Sequence, residues 1–132
     1  MSSDAGLIDA NILVYAHFQD TEHHTASFSL LEQARSNKLT LYVTPQVIAE
    51  FYAVITNAKR VSSPYKPEEA LEAITQILGL PGISMLSIPV DVVDRWAKLI
   101  RKHPVKGSDI FDVQLVATML GNGVNRIYTY NR

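Results

Sequence analysis

The most constraining feature of this chain is a short apolar run that ends in an aspartate and is followed at once by a second apolar run. In the stretch from Leu7 to Tyr15 (LIDANILVY), the spacing of apolar residues changes from strand-like to helical after Asp9. A carboxylate in such surroundings is costly to desolvate unless it is hydrogen-bonded, paired or bound to a cation. In α/β proteins, ligands also collect at the carboxyl ends of buried strands. The stretch therefore predicts a functional carboxylate at the end of a strand.

Strand-like segments alternate with helical segments along the rest of the chain. The predicted strands are Leu7–Ile8, Leu39–Val43, Ile83–Ile88 and Arg126–Tyr130. This alternation predicts an α/β fold with three layers, in which helices cover both faces of a central, mostly parallel sheet. A length of 132 residues suits a single domain spanning 1–132. Because the chain stops directly after a predicted strand, we expect the natural protein to extend a few residues further.

Asn11, Thr44 and Asp109 are among the residues predicted to begin helices. Asn11 suits the N-cap of the first helix, because its side-chain oxygen can accept from a free N–H of the first turn. Thr44 followed by Pro45 is a strong helix start. Asp109 is interpreted as the N-cap of the last helix.

Composition excludes several classes of function. The formal charge of −1 argues against a general polyanion-binding surface, although a local basic patch remains possible. The absence of cysteine excludes disulfides and thiolate zinc sites. The start of the chain lacks signal-peptide character, and no apolar run approaches the roughly 20 residues needed to cross a bilayer. We therefore expect a cytoplasmic protein with no membrane partner.

Two further carboxylates lie among apolar neighbours. Glu50 is flanked by VIA and FYAVI, and Asp112 by IF and VQLV. Alternative interpretations remain open: Glu50 could extend to solvent or pair with an arginine, and Asp112 could be a first-turn acid stabilised by the helix dipole. If these two and Asp9 converge, their repulsion would be relieved by a hard divalent cation such as Mg²⁺ or Mn²⁺, which suits phosphate-ester chemistry. The histidines offer no competing site, and we expect each of them to be exposed: His17, His23, His24 and His103.

Four segments, taken in order, resemble the motifs of PIN-domain proteins. They are Ile8–Ala16, Thr44–Phe51, Asp109–Thr118 and Gly123–Asn131. The resemblance covers essentially the whole chain and is strongest to the VapC toxin branch of that family. It implies a metal-dependent endoribonuclease that cleaves single-stranded RNA and forms the toxin half of a toxin–antitoxin pair. A small antitoxin protein and a second copy of this chain are the implied partners.

The resemblance also implies the site residues. The family's first three acids fall on Asp9, Glu50 and Asp112, which would bind Mg²⁺ or Mn²⁺ and carry catalysis. Asn11 and Thr129 match polar positions beside the site. A further acid of the family would lie beyond the last residue of this sequence, and its absence makes Asp109 a possible substitute.

Two other functions remain alternatives. An aspartyl phosphatase would use Asp9 as its nucleophile, but that chemistry normally requires a second aspartate where Asn11 stands. A catalytically inactive PIN-like module would bind RNA or protein instead. Basic residues in predicted loops could attract an RNA backbone in either an active or an inactive protein: Lys59, Arg60, Lys66, Arg101, Lys102 and Lys106.

Overall fold

The computed structural model describes residues 4–130, in which strands alternate with helices. In chain order the elements are β1 (Gly6–Ile8), α1 (Ala10–His17), α2 (His24–Arg35), β2 (Leu41–Val43), α3 (Pro45–Ile55), α4 (Pro67–Leu78), β3 (Ile83–Met85), α5 (Val92–Lys102), a 3₁₀ helix (Gly107–Asp109), α6 (Ile110–Gly121) and β4 (Ile127–Tyr128). The predicted α/β class is confirmed.

The sheet has the strand order β3-β2-β1-β4, and each of these pairings is parallel. β1 lies inside the sheet, between β2 and β4. The strands after β1 are shorter than predicted: β2 begins at Leu41 rather than Leu39, β3 ends at Met85, and β4 comprises Ile127–Tyr128. A strand continues only where a neighbouring strand lies opposite to pair with it, and β1, inside the sheet, is three residues long.

The chain divides into two compact units. The first contains residues 4–85 and 126–130, and with them the whole sheet and helices α1 to α4; the second is Leu86–Asn125. The interpretation of residues 1–132 as one domain stays a prediction.

The first unit has a well-filled core. Every residue of β1 is buried, as expected for a parallel strand that is covered on both faces. Leu41 and Val43 of β2 and Phe51 and Ile55 of α3 are likewise fully buried. The acidic end of β1 therefore follows directly from the centre of a packed core.

In the second unit, α5 contacts α6. α6 contributes buried side chains including Leu115 and Met119, whereas no residue of α5 is buried. The Asn122 amide closes the end of α6 by donating to the carbonyl oxygens of Thr118 at 2.8 Å and Ser87 at 2.9 Å. Within residues 4–130, every helix falls short of the length and apolar character required to cross a bilayer.

Candidate functional site

Asp9 joins β1 to α1 and acts as the N-cap of that helix. Its backbone is extended (φ −76°, ψ 160°), and its Oδ1 accepts from the N–H of Ala10 at 2.7 Å. The predicted capping role of Asn11 is wrong, because helical geometry already begins at Ala10 and leaves Asp9 as the last extended residue. The half-buried Asp9 carboxylate thus lies at the positive end of a helix dipole.

Thr129 is brought to Asp9 by the pairing of β1 with β4. Ile8 lies opposite Tyr128, and the backbone N–H of Asp9 donates to the carbonyl oxygen of Tyr128 at 3.0 Å. The next residue, Thr129, then donates its hydroxyl proton to Oδ2 of Asp9 at 2.9 Å. Both carboxylate oxygens of Asp9 are therefore held by hydrogen bonds from the chain itself, which fixes the orientation of the group.

Asn11 lies in the first turn of α1 and carries a buried side-chain amide. Neither its nitrogen nor its oxygen has a hydrogen-bond partner among residues 4–130. A buried polar group without a partner costs about 1–3 kcal/mol, so native structures normally satisfy such groups with water or a ligand. The buried amide of Asn11 therefore has unused hydrogen-bonding capacity two residues after Asp9.

Glu50 lies in α3, a helix that begins as predicted at Thr44 and Pro45. The hydroxyl oxygen of Thr44 accepts from the N–H of Val47 at 3.1 Å and caps the helix. Glu50 is half-buried, and its neighbours Val47 and Phe51 on the same helix are fully buried. The helix holds this carboxylate at the border between core and solvent.

Asp109 and Asp112 belong to the second unit, and both are exposed. Asp112 lies in the first turn of α6, where the helix dipole favours a negative charge. The predicted capping role of Asp109 is wrong: its backbone is helical (φ −62°, ψ −17°) and its side chain makes no cap hydrogen bond. The reason is the 3₁₀ helix, which ends at Asp109 and continues directly into α6.

The chemistry of the donors fits a hard divalent cation. In the part of the chain that the structure describes, no three side chains from histidine, aspartate and glutamate are grouped so that they could hold a metal ion. In the first unit, the carboxylate of Asp9 and the unpartnered amide oxygen of Asn11 are oxygen donors. Oxygen donors suit Mg²⁺ or Mn²⁺. The assignment of metal ligands stays a prediction.

The expected exposure of the histidines is wrong for His17, His23 and His24, which are half-buried, and correct for His103. His24 donates from Nδ1 to the carbonyl oxygen of Tyr15 at 2.7 Å, in the last turn of α1 where carbonyl groups lack helical partners. His17 donates from Nδ1 to the carbonyl oxygen of Leu13 at 2.9 Å. Burial lowers the pKa of His17, and this hydrogen bond opposes the shift only in part.

The sequence did not predict an aromatic group that we call the Tyr130 cluster: Tyr15, His23 and Tyr130. The rings of His23 and Tyr130 stack with centroids 3.8 Å apart and planes 5° apart. The Tyr15 ring packs edge-on, at 5.2 Å from His23 and 5.6 Å from Tyr130. Only the positions of these residues in the sequence could have pointed to the cluster. Tyr130 follows Thr129 directly, and Tyr15 lies in the helix that Asp9 caps.

Comparison with known proteins agrees with the resemblance seen in the motifs. The PIN domain family matches residues 6–132. The chain is 30% identical over 115 residues to ribonuclease VapC43 of Mycobacterium tuberculosis, covering 87% of this chain and 78% of that protein. It is 23% identical over 124 residues to ribonuclease VapC48 of the same organism, covering 94% of this chain and 86% of that protein.

Solved structures show the same fold. The crystal structure of VapC20 from M. tuberculosis, described as a Sarcin-Ricin loop cleaving toxin, matches with a TM-score of 0.68 at 13% identity, over 95% of this chain and 88% of that one. VapBC2 from Rickettsia felis, bound to a DNA fragment from its promoter, matches with a TM-score of 0.64 at 18% identity, over 96% of this chain and 88% of that one. The chain therefore belongs to the PIN-domain family, in its VapC branch.

Proposed function

We propose that this chain is an endoribonuclease that hydrolyses phosphodiester bonds of single-stranded RNA and acts as the toxin of a toxin–antitoxin pair. The observation that carries the proposal is the carboxylate of Asp9, fixed by Ala10 and Thr129 at the end of an interior strand. Its sequence relatives are ribonucleases by name, which supports RNA as the substrate.

Hydrolysis requires an attacking water, a proton acceptor and stabilisation of charge on the phosphate. The oxygen of the water forms a bond to phosphorus while the bond from phosphorus to the ribose 3′ oxygen breaks, which leaves a 3′-hydroxyl and a 5′-phosphate. A divalent cation, Mg²⁺ or Mn²⁺, supplies Lewis-acid stabilisation when it is bound. We assign Asp9 and Asp112 to holding the cation, and Glu50 to orienting the attacking water or accepting its proton.

The support for these assignments differs between residues. Asp9 is supported by its geometry, and Thr129 by the hydrogen bond that orients it. Asn11 is supported by its unpartnered buried amide, which suits a bound water or a phosphate oxygen. Glu50 and Asp112 enter the proposal through their motifs, and Asp109 is kept as a candidate substitute for the family's fourth acid.

The proposed partners are a small antitoxin protein and a second copy of this chain, in the cytoplasm where RNA is available. The antitoxin is suggested by the VapBC2 relative. A protein contact is also supported by the second unit, which exposes Ile88, Val93, Phe111 and Leu120 and whose α5 buries no residue. Light scattering of the purified chain, alone and co-expressed with the product of the adjacent reading frame, tests both partners.

The catalytic proposal is tested by RNA cleavage with and without Mg²⁺. Asp9→Asn and Glu50→Gln remove a charge with little change in volume, and each is expected to lower the rate by about a hundred-fold or more, since such charge stabilisation contributes several kcal/mol. Asp94→Asn is the matched control, because Asp94 is an exposed acid in the first turn of α5. Unchanged cleavage by both site variants would refute the assignment.

A catalytically inactive module that binds RNA or protein is the second candidate. It is favoured by the exposure of Asp112. Calorimetric titration with Mn²⁺ separates the two candidates. An active site predicts saturable binding that Asp9→Asn and Asp112→Asn both weaken, whereas an inactive module needs no such binding.

A further inference from the structure

We infer that the ring of Tyr130 is a stacking platform for an unpaired RNA base next to the carboxylate of Asp9. The inference rests on the proposed ribonuclease function and deepens it by naming a residue that recognises the substrate. It is carried by three observations, namely the position of Tyr130, the support of its ring and the exposure that remains.

The position of Tyr130 is fixed by the same strand pairing that fixes Asp9. Thr129 donates to Oδ2 of Asp9 at 2.9 Å, and Tyr130 is the next residue along the chain. Consecutive Cα atoms are about 3.8 Å apart, so the backbone of Tyr130 lies within one residue of the group that holds the carboxylate. The ring of Tyr130 contacts Tyr15, which lies in the helix that Asp9 caps, so we place a base resting on this ring close to a phosphate at Asp9.

The ring of Tyr130 is held in place before any substrate arrives. His23 stacks on one of its faces at 3.8 Å, and Tyr15 packs edge-on against both rings. His23 precedes α2 and Tyr15 lies in α1, two helices that contact each other. A supported ring loses little rotational freedom when a base stacks on it, and this reduces the cost of binding.

Tyr130 remains partly open to solvent. Tyr130 is 38% exposed even though two aromatic rings contact it. His23 covers one face of the ring, and we assign the opposite face to a further stacking partner.

Stacking also answers a difficulty raised by the charge of the chain. The formal charge is −1, so the protein as a whole does not attract a polyanion. Aromatic stacking provides affinity for single-stranded RNA that does not depend on neutralising phosphates, and it accepts any base. His23 and Tyr15 are positioning residues in this arrangement, since they act through the ring of Tyr130.

The test measures binding of short single-stranded RNAs in EDTA, so that cleavage does not interfere. Each RNA carries one fluorescent adenine analogue, whose emission is quenched when it stacks on an aromatic ring. We expect one labelled position to be quenched by the wild-type chain. Tyr130→Ala and Tyr130→Leu should abolish the quenching and weaken binding by about 5- to 100-fold, the range for loss of one stacked base.

Four controls make the result specific to the ring. Tyr130→Phe keeps the ring and should retain both the quenching and the affinity. Phe28→Ala removes another exposed aromatic ring (48% exposed) and should change neither. His23→Ala should reduce the quenching, and His23→Phe should restore it. The salt dependence of binding should be the same in Tyr130→Leu as in the wild type, because no phosphate contact is lost.

Binding and quenching by Tyr130→Leu at wild-type levels would overturn the platform, as would wild-type protein that quenches no labelled position. The proposed function is judged separately by RNA cleavage that depends on Asp9. Cleavage that requires Asp9, together with intact quenching in Tyr130→Leu, would reject the platform and leave the ribonuclease. Quenching that requires Tyr130, without cleavage by the wild type, would reject the ribonuclease and leave an RNA-binding surface.

Discussion

The two compact units place their acidic residues in different surroundings. In the first unit, Asp9 follows a strand whose residues are all buried, and two hydrogen bonds of 2.7 and 2.9 Å orient its carboxylate. In the second unit, Asp112 lies exposed in the first turn of α6. Catalytic groups need positions fixed by their surroundings. The geometry therefore supports Asp9 directly, whereas Asp112 depends on its motif.

The two units also differ in how well their side chains are buried. The large side chains that are fully buried, including Leu7, Leu13 and Phe51, belong to the first unit. In the second unit no residue of α5 is buried as a whole. One atom of this helix, the indole nitrogen of Trp96, is buried, and it has no hydrogen-bond partner among residues 4–130. A segment of about 40 residues can bury only a small core, so we expect the second unit to open more easily than the first.

The largest expected effect comes from removing the same side chain in each unit. Phe51 is 0% exposed in the first unit and Phe111 is 55% exposed in the second. We expect Phe51→Ala to lower the free energy of unfolding by about 3–5 kcal/mol, because it leaves a cavity, and Phe111→Ala to lower it by about 0.5 kcal/mol or less. Denaturation in urea measures both. Equal losses would show that the Phe111 ring contributes as much to stability as the buried ring of Phe51.

The contrast between the units also explains what could be predicted from sequence. The start of α3 was predicted correctly because Thr44 and Pro45 act locally, within the first helical turn. The choice between Asp9 and Asn11 as the cap of α1 was wrong because both residue types cap well and lie two positions apart. Local preference could not decide between them.

Local sequence patterns could not predict contacts between residues far apart in the chain. Thr129 reaches Asp9 across 120 positions of sequence, through a parallel pairing that no short motif specifies. The stack of His23 on Tyr130 depends on the same pairing. The resemblance to PIN-domain motifs pointed to Thr129 but carried no information about Tyr130. Family patterns thus pointed to Thr129, and the structure was needed to find the stacked ring of the next residue.

A second prediction compares the starts of two helices. Thr44 caps α3 with a hydrogen bond of 3.1 Å to the N–H of Val47 and is buried, whereas Asp109 makes no cap hydrogen bond to α6. We expect Thr44→Val to cost about 1–2 kcal/mol of stability, because it leaves a buried N–H without a partner. Asp109→Ala should cost about 0.5 kcal/mol or less. A larger loss for Asp109→Ala than for Thr44→Val, measured by thermal unfolding, would reverse the ranking of the two helix starts.

The smallest expected effect is a change in the pH dependence of stability, and it compares His17 of the first unit with the exposed His103 of the second. Burial lowers the pKa of His17 in the folded chain, so the unfolded chain, whose histidines titrate near pH 6.5, binds that proton more readily. Stability should therefore fall as the pH falls through about 6.5 toward the folded pKa, and should not depend on this residue above that range. In His17→Gln the amide can still donate to the carbonyl oxygen of Leu13, and we expect stability to fall less steeply at low pH. His103→Gln should leave this pH dependence unchanged. Urea denaturation across the range measures the slopes. An equally steep loss of stability at low pH in His17→Gln and in the wild type would mean that another group causes it. The half-buried ring of His17 would then take up its proton without cost to the packing of α1.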